Sequence, residues 1–336
     1  MTAKGDMARV GLSLPLAAGV FVVGVGAMIG VSVSNAQRGA EARVMSASDA
    51  AGGMRVVATV PPLAWVARAL APAGSEITML VPGGVACHGL ELTPSQVGAI
   101  RRADVTLTVG FGLDRAVDEA GAESGARVEM ASVDACAAGH DLAQGEEARH
   151  ECEHGDEHGH GHAHGDPHVW LDPVLMGEFV ERVAGEMETA LRARGGSEAD
   201  IAALRARSEA ARAVCAEIDA AYRERLGPFE GRAIVTYHDA YGRVAERYGL
   251  RVAAVIQHSH EAEPAPGDVA AAARAVREER VGAIFIEPQF SRTVAERIAA
   301  ESGASVYTLD PLGSGDWPGL MRANLESLVR GLEAGR

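Results

Sequence analysis

Between positions 150 and 168 the chain carries seven histidines: His150, His154, His158, His160, His162, His164 and His168. The last lies inside Asp166-Pro167-His168-Val169-Trp170-Leu171-Asp172-Pro173. Neutral imidazole is the commonest metal-binding side chain near pH 7, so this density reads first as metal chemistry. The two halves of the stretch obey different physics. From His150 to Gly165 the histidines alternate with Gly, Asp and Glu and almost nothing apolar, so no packed element can form. A solvated loop is expected there, with His150, His154, His158, His160, His162 and His164 as an auxiliary, multivalent metal-binding set. From Asp166 onward, Pro167 and Pro173 fix the backbone while Val169, Trp170 and Leu171 supply core anchors. His168 is therefore placed by its surroundings, either as a ligand or as a satisfied core histidine.

The elements that must position further ligands follow from periodicity. Arg55 to Val60 is a β-branched run stopped by Pro61-Pro62, and Leu63 to Leu70 then has helical spacing. Glu76 to Val81, Val105 to Val109 and Arg127 to Val133 complete a first set of four strands, with Thr93 capping a helix that starts at Pro94. A helix from Leu175 to Arg192 breaks at Gly195-Gly196. Ile201 to Leu226, with Ser197 as its cap, has no interior Gly or Pro and reads as one helix about 38 Å long. Alternation then resumes with strands at Ala233 to Tyr237, Arg251 to Ile256, Gly282 to Ile286 and Ser305 to Leu309, and an amphipathic helix over Trp317 to Leu332. The pattern predicts an α/β protein: two (β/α)4-type lobes with parallel sheets, joined by a single long linker helix. The expected boundaries are 54–196 for the amino-terminal lobe, with the histidine-rich loop at 140–165, 197–227 for the linker and 228–336 for the carboxyl-terminal lobe.

In parallel sheets ligands bind beyond the carboxyl ends of the strands. His88 follows the second strand, His238 follows Val235-Thr236-Tyr237, Glu287 follows Ile284-Phe285-Ile286, and Asp310 follows Val306-Tyr307-Thr308-Leu309. Together with His168 they converge on a cleft between the lobes.

A formal charge of −15, from 31 basic and 46 acidic residues, argues against nucleic acid or anionic lipid as a partner and suits a protein that handles cations. Residues 1–36 read as an export signal: Lys4 and Arg9, an apolar run from Val10 to Val33, and small residues at Ser34-Asn35-Ala36. The run is long enough to remain as an amino-terminal anchor if it is not cleaved. Residues 37–53 are a flexible lead, and the body of the protein is expected to be periplasmic or otherwise extracytoplasmic. Of four cysteines, Cys215 falls on a helical apolar stripe with Ala211, Ile218 and Tyr222 and reads as a small buried hydrophobe; Cys152 is expected to be exposed, and Cys87 and Cys136 could be bridged.

Read together, the motifs Asp166 to Pro173, Tyr237-His238-Asp239-Ala240-Tyr241, Glu261-Ala262-Glu263-Pro264, Glu287-Pro288-Gln289-Phe290 and Leu309-Asp310-Pro311-Leu312-Gly313, with His88 ahead of Pro94-Ser95, resemble in order the substrate-binding proteins of zinc and manganese ABC transporters. The resemblance spans Arg55 to Arg336 and is strongest to the zinc-uptake type, whose members carry a histidine-rich loop. It implies metal ligation by His88, His168, His238 and Asp310, with metal in the interlobe cleft. It also implies a non-enzymatic, monomeric protein whose partners are a membrane permease and a cytoplasmic ATPase. Three imidazoles with a carboxylate suit Zn²⁺ as the transported ion, whereas Mn²⁺ prefers oxygen-rich sites. Two departures stand out: Leu90 replaces a usual aromatic residue, and Cys87 precedes the first histidine, so Cys87 and Glu287 are candidates for the second shell or a variant fourth contact. His258 and His260 read as surface histidines. Because ligating histidines must be neutral, affinity is expected to fall below about pH 6.5. Other readings are a manganese or other divalent-metal binder of the same family, an extracytoplasmic zinc buffer or adhesin, and a zinc hydrolase, against which the lack of a His-Glu-x-x-His helix argues.

Overall fold

Among the described residues, eight short strands form two parallel sheets. In the first, β1 (Arg55–Ala58), β2 (Glu76–Met79), β3 (Val105–Thr108) and β4 (Ala126–Glu129) lie in the order β2-β1-β3-β4. In the second, β5 (Ala233–His238), β6 (Arg251–Gln257), β7 (Ala283–Ile286) and β8 (Ser305–Thr308) repeat that order as β6-β5-β7-β8. The computed structural model describes residues 53–83, 90–121, 125–137, 166–257 and 264–335, all within one compact unit that runs from Arg43 to Arg336. His88, Cys87, Cys152, His258, His260, the expected signal and lead up to residue 52, and the histidines from His150 to His164 lie outside the described residues.

Why these runs become strands is visible in their burial. The central strands β3 (Val-Thr-Leu-Thr) and β7 (Ala-Ile-Phe-Ile) are buried at every position. Burial on both faces is what a parallel strand covered by helices requires, and in β7 it goes with a continuous apolar run, whereas β3 buries two threonines as well. The edge strands β2 and β8 are only partly covered. The expected two-lobe α/β architecture is thus present. The largest difference is in β4, which ends at Glu129, with Ala131–Ala137 forming a helix instead of continuing to Val133; β1 and β2 each stop two residues short of the expected Val60 and Val81. Cross-strand bonds end with the Met130 N–H on the Thr108 carbonyl and the Ala131 N–H on the Val109 carbonyl, and the Ala-rich segment that follows has better helix propensity than strand propensity.

The helices in chain order are α1 (Pro61–Leu70), α2 (Pro94–Arg102), α3 (Arg115–Ala120), α4 (Ala131–Ala137), α5 (Pro173–Ala193), α6 (Glu198–Leu226), α7 (Gly242–Arg247), α8 (Pro266–Glu278), α9 (Thr293–Ser302) and α10 (Trp317–Ala334). None of these described helices is long and apolar enough to cross a membrane. Helix α6 is the expected strut, 29 residues and so about 43 Å long. Ser197 starts it with a capping box: its hydroxyl accepts the Asp200 N–H at 3.2 Å, and the Asp200 carboxylate accepts the Ser197 N–H at 2.9 Å. Its buried stripe, Ile201, Leu204, Ser208, Ala211, Cys215, Ile218, Tyr222 and Leu226, steps by three or four residues. The strut packs on α5 and α1 from the first lobe and on α10 from the second, where the Tyr222 hydroxyl donates to the Met321 carbonyl at 2.8 Å. One apolar core therefore continues beneath α6 from Val56 and Leu107 to Phe285 and Leu325.

Cys215 sits in that core as a free thiol, as its place on the stripe predicts. Burial pushes it up to about 12, so at pH 8 roughly one molecule in ten thousand carries the reactive thiolate. Native protein treated with iodoacetamide at pH 8 is expected to leave the Cys215 peptide unmodified, and denaturant should make it react fully. Prompt native labelling of that peptide would contradict the packing.

Candidate metal centre

His168 is placed by the segment on either side of it. Val169, Trp170 and Leu171 form one turn of 3₁₀ helix and are fully buried, and Asp172 caps α5 by accepting the Val174 and Leu175 N–H groups at 2.9 and 3.3 Å. Asp166 reaches forward two residues in the manner of an Asx turn, its Oδ1 accepting the His168 backbone N–H at 2.9 Å and lying 2.8 Å from His168 Nδ1. Burial by itself would raise Asp166, but hydrogen bonds from the His168 ring and backbone N–H, with the Arg243 guanidinium behind, hold it below the usual carboxylate range. An ionised carboxylate can only accept, so His168 Nδ1 carries the proton and Nε2 is left as the basic nitrogen.

The second lobe builds the same device from different elements. His238 is the last residue of β5, and Glu287 directly follows β7, the strand paired with β5 through Val235–Ile284 and Thr236–Phe285. Parallel register thus delivers the two side chains side by side, with His238 Nδ1 2.8 Å from Glu287 Oε1. Gln289 Nε2 donates to the other carboxyl oxygen. Burial, and then His168, lowers His238 to about 3; burial raises Glu287 to about 8. His238 consequently stays neutral through the physiological range.

The two devices face one another. The His168 and His238 rings lie 4.9 Å apart, centroid to centroid, at 74°, with 1% and 5% of each residue exposed. Both Nδ1 atoms lie against a carboxyl oxygen, an arrangement that orients imidazoles for metal binding through Nε2. Asp310 stands two residues beyond β8. Its Oδ1 accepts the Leu312 and Gly313 N–H groups at 2.9 Å each, while Asn324 brackets its peptide, accepting from its N–H at 2.9 Å and donating to its carbonyl at 2.7 Å. The next residue ties this loop to the first lobe: the Trp170 indole N–H donates to the Pro311 carbonyl at 2.6 Å, and the Trp317 indole N–H donates to the Trp170 carbonyl at 2.8 Å.

Of the residues expected from sequence, His168 and His238 are brought together and Glu287 is the partner of His238. Asp310 is fixed at the same edge of the second sheet. Among the described residues no three His, Cys, Asp or Glu side chains are arranged to hold an ion; His88 and Cys87 lie outside them. Sequence reasoning gave no role to Asp166, although Asp two positions before a placed residue is an Asx-turn signal. It also passed over Gln289, Asn324 and Arg243, whose partners are remote in sequence or carry no local pattern.

Comparison with known proteins is consistent along most of the chain. The family described as zinc-uptake complex component A, periplasmic, matches residues 56–331. The high-affinity zinc uptake system protein ZnuA of Paracoccus denitrificans is 32% identical over 292 residues, covering 79% of this chain and 86% of that protein. ZnuA of Bacillus subtilis is 28% identical over 272 residues, covering 80% of this chain and 81% of its own length. Among solved structures, the periplasmic zinc binding protein TroA from Treponema pallidum shares the fold, with a TM-score of 0.68 at 22% identity over 84% of this chain and 99% of that one.

Proposed function

Because the chain belongs to the zinc-uptake complex component A family, we propose that it captures Zn²⁺ outside the cytoplasm and delivers it to an ABC-type permease driven by a cytoplasmic ATPase. The observation that carries this reading is the His168–His238 pair, drawn from two different lobes, buried, and held on both Nδ1 atoms by Asp166 and Glu287. His168 and His238 bind the ion through Nε2 at the usual zinc–nitrogen distance of about 2.0–2.1 Å. His88 supplies the third imidazole and Asp310 the carboxylate contact. An imidazole-rich set favours Zn²⁺ over Mn²⁺. Glu287 then orients His238 through its Nδ1 and does not touch the ion itself. The protein acts as an exported monomer without catalytic activity, and its binding step is the closing of two lobes on the ion. The histidines from His150 to His164 raise the local metal concentration as a weak, multivalent antenna.

Metal content by mass spectrometry and competition titration on two proteins, the full chain and one lacking residues 150–164, tests the reading. One tightly held zinc is expected to survive the deletion, with only weak additional binding lost. Disappearance of all tight binding would move the site to the loop and overturn the cleft assignment.

A further inference from the structure

Three residues separate His238 from α7, and that helix carries two arginines one turn apart, Arg243 and Arg247, on the face turned to the first lobe. Arg243 is the more connected. Its Nη1 and Nη2 form a two-pronged pair with Asp134 of α4, at 2.7 and 2.9 Å. Its Nη2 and Nε also donate to the Asp166 backbone carbonyl at 2.8 and 3.2 Å, and Nε lies 3.6 Å from Asp166 Oδ2. The guanidinium carbon stands 5.9 Å from the centre of the Phe111 ring, in the loop after β3, where Phe111 adopts a left-handed φ of 54°. One turn on, Arg247 Nε donates to Asp172, the cap of α5.

The wiring links two things that need not have been linked. Asp166 is the carboxylate that orients His168, while Arg243 belongs to the element that carries His238. We propose that Arg243 is a positioning residue of the zinc site and a latch between the lobes, fastening Asp166 and Asp134 only while His168 and His238 are together. The inference rests on the reading of these histidines as zinc ligands. A movement that draws His238 from His168 must also pull the guanidinium off Asp166, so opening the cleft loosens the support of a ligand as it separates the ligand pair. A planar fork with five N–H donors can hold a carboxylate and a carbonyl simultaneously, which a lysine cannot reproduce. Loss of such a buried-edge pair acts on dissociation more than on association.

The test is release of zinc from the loaded full chain into excess chelator by stopped flow, for wild type, Arg243→Met, Asp134→Asn, the double variant and His168→Ala. Cobalt-substituted samples report ligand geometry through their visible bands. Arg243→Met is expected to keep one zinc but release it roughly 10- to 100-fold faster, the range seen when second-shell partners are removed. Asp134→Asn should speed release less, and the double variant should be no faster than Arg243→Met. The cobalt bands should change in Arg243→Met, whose loss reaches His168 through Asp166, and stay unchanged in Asp134→Asn. Release within twofold of wild type, multiplicative effects in the double variant, or unchanged cobalt bands in Arg243→Met would each overturn the latch. If His168→Ala loses tight zinc while Arg243→Met behaves as wild type, the site stands and only the latch falls; if His168→Ala keeps tight zinc, both fall. Should Arg243→Met fail to fold, Asp134→Asn decides alone, faster release supporting the latch and wild-type release removing it.

Discussion

His238→Ala is expected to weaken zinc binding by at least about two orders of magnitude while leaving the metal-free protein folded. Zinc held by four protein ligands carries roughly 10–16 kcal/mol, so one ligand is worth about 3 kcal/mol, and a factor of ten in affinity costs about 1.4 kcal/mol. The fold tolerates the change for an electrostatic reason. Truncating one partner of a buried ion pair normally strands a charge, but burial raises Glu287 to about 8, so near pH 7 the carboxyl left behind is mostly neutral and keeps its contact with Gln289. The residual cost is that of one buried hydrogen bond and a small cavity, about 1–3 kcal/mol. His168→Ala should lose affinity similarly, with Asp166 still held by Arg243. Competition titration gives the affinity and thermal unfolding of the metal-free form gives the fold. A His238→Ala protein that binds zinc within threefold of wild type would remove the His168–His238 pair from the site.

Glu287→Gln is expected to cost about 10- to 100-fold in zinc affinity, less than loss of the histidine itself but with the stoichiometry kept. The amide is nearly isosteric and its oxygen can still accept from His238 Nδ1–H, so ring orientation survives. What disappears is the group that can shed its proton when a cation arrives, which makes the imidazole a better donor and balances charge brought into a buried site. Asp166→Asn makes the matching change in the other lobe, at His168. The rings that the two groups orient lie 4.9 Å apart, so the changes should couple and the double variant should depart from the product of the singles. Titration of the single and double variants provides the check, and affinities within twofold of wild type would make both carboxylates structural props with no part in tuning the metal.

How much of this was legible beforehand depends on whether the determining interaction was local. Strand and helix periods, Pro61-Pro62, Ser197 and the unbroken run to Leu226 are local features, and they determined the two alternating lobes and the strut between them. The rule that ligands gather beyond strand ends, together with Pro167 and Pro173, marked His168, His238, Glu287 and Asp310, because chain direction through a parallel sheet fixes which end a residue reaches. The end of β4 was misplaced by a few residues because the two propensities compete in one short segment and neighbouring strands decide where pairing stops.

Only the tertiary structure decided what those residues do to one another. The 4.9 Å approach of His168 to His238 requires both lobes to be docked on α6. The pairing of His238 with Glu287 comes from strand register across 49 positions, and the bond from Trp170 to Pro311 spans 141. The depressed His238 and elevated Glu287 follow from burial, which no window of sequence contains, whereas pH 6.5 is the reference for a solvated imidazole. Arg243 looks like an ordinary surface charge on a short helix until packing sets it against Asp134 and Asp166. Composition and periodicity act along the chain and so determined the elements and the ends at which chemistry collects; desolvation and partner choice act through space and arose only once the lobes were packed together.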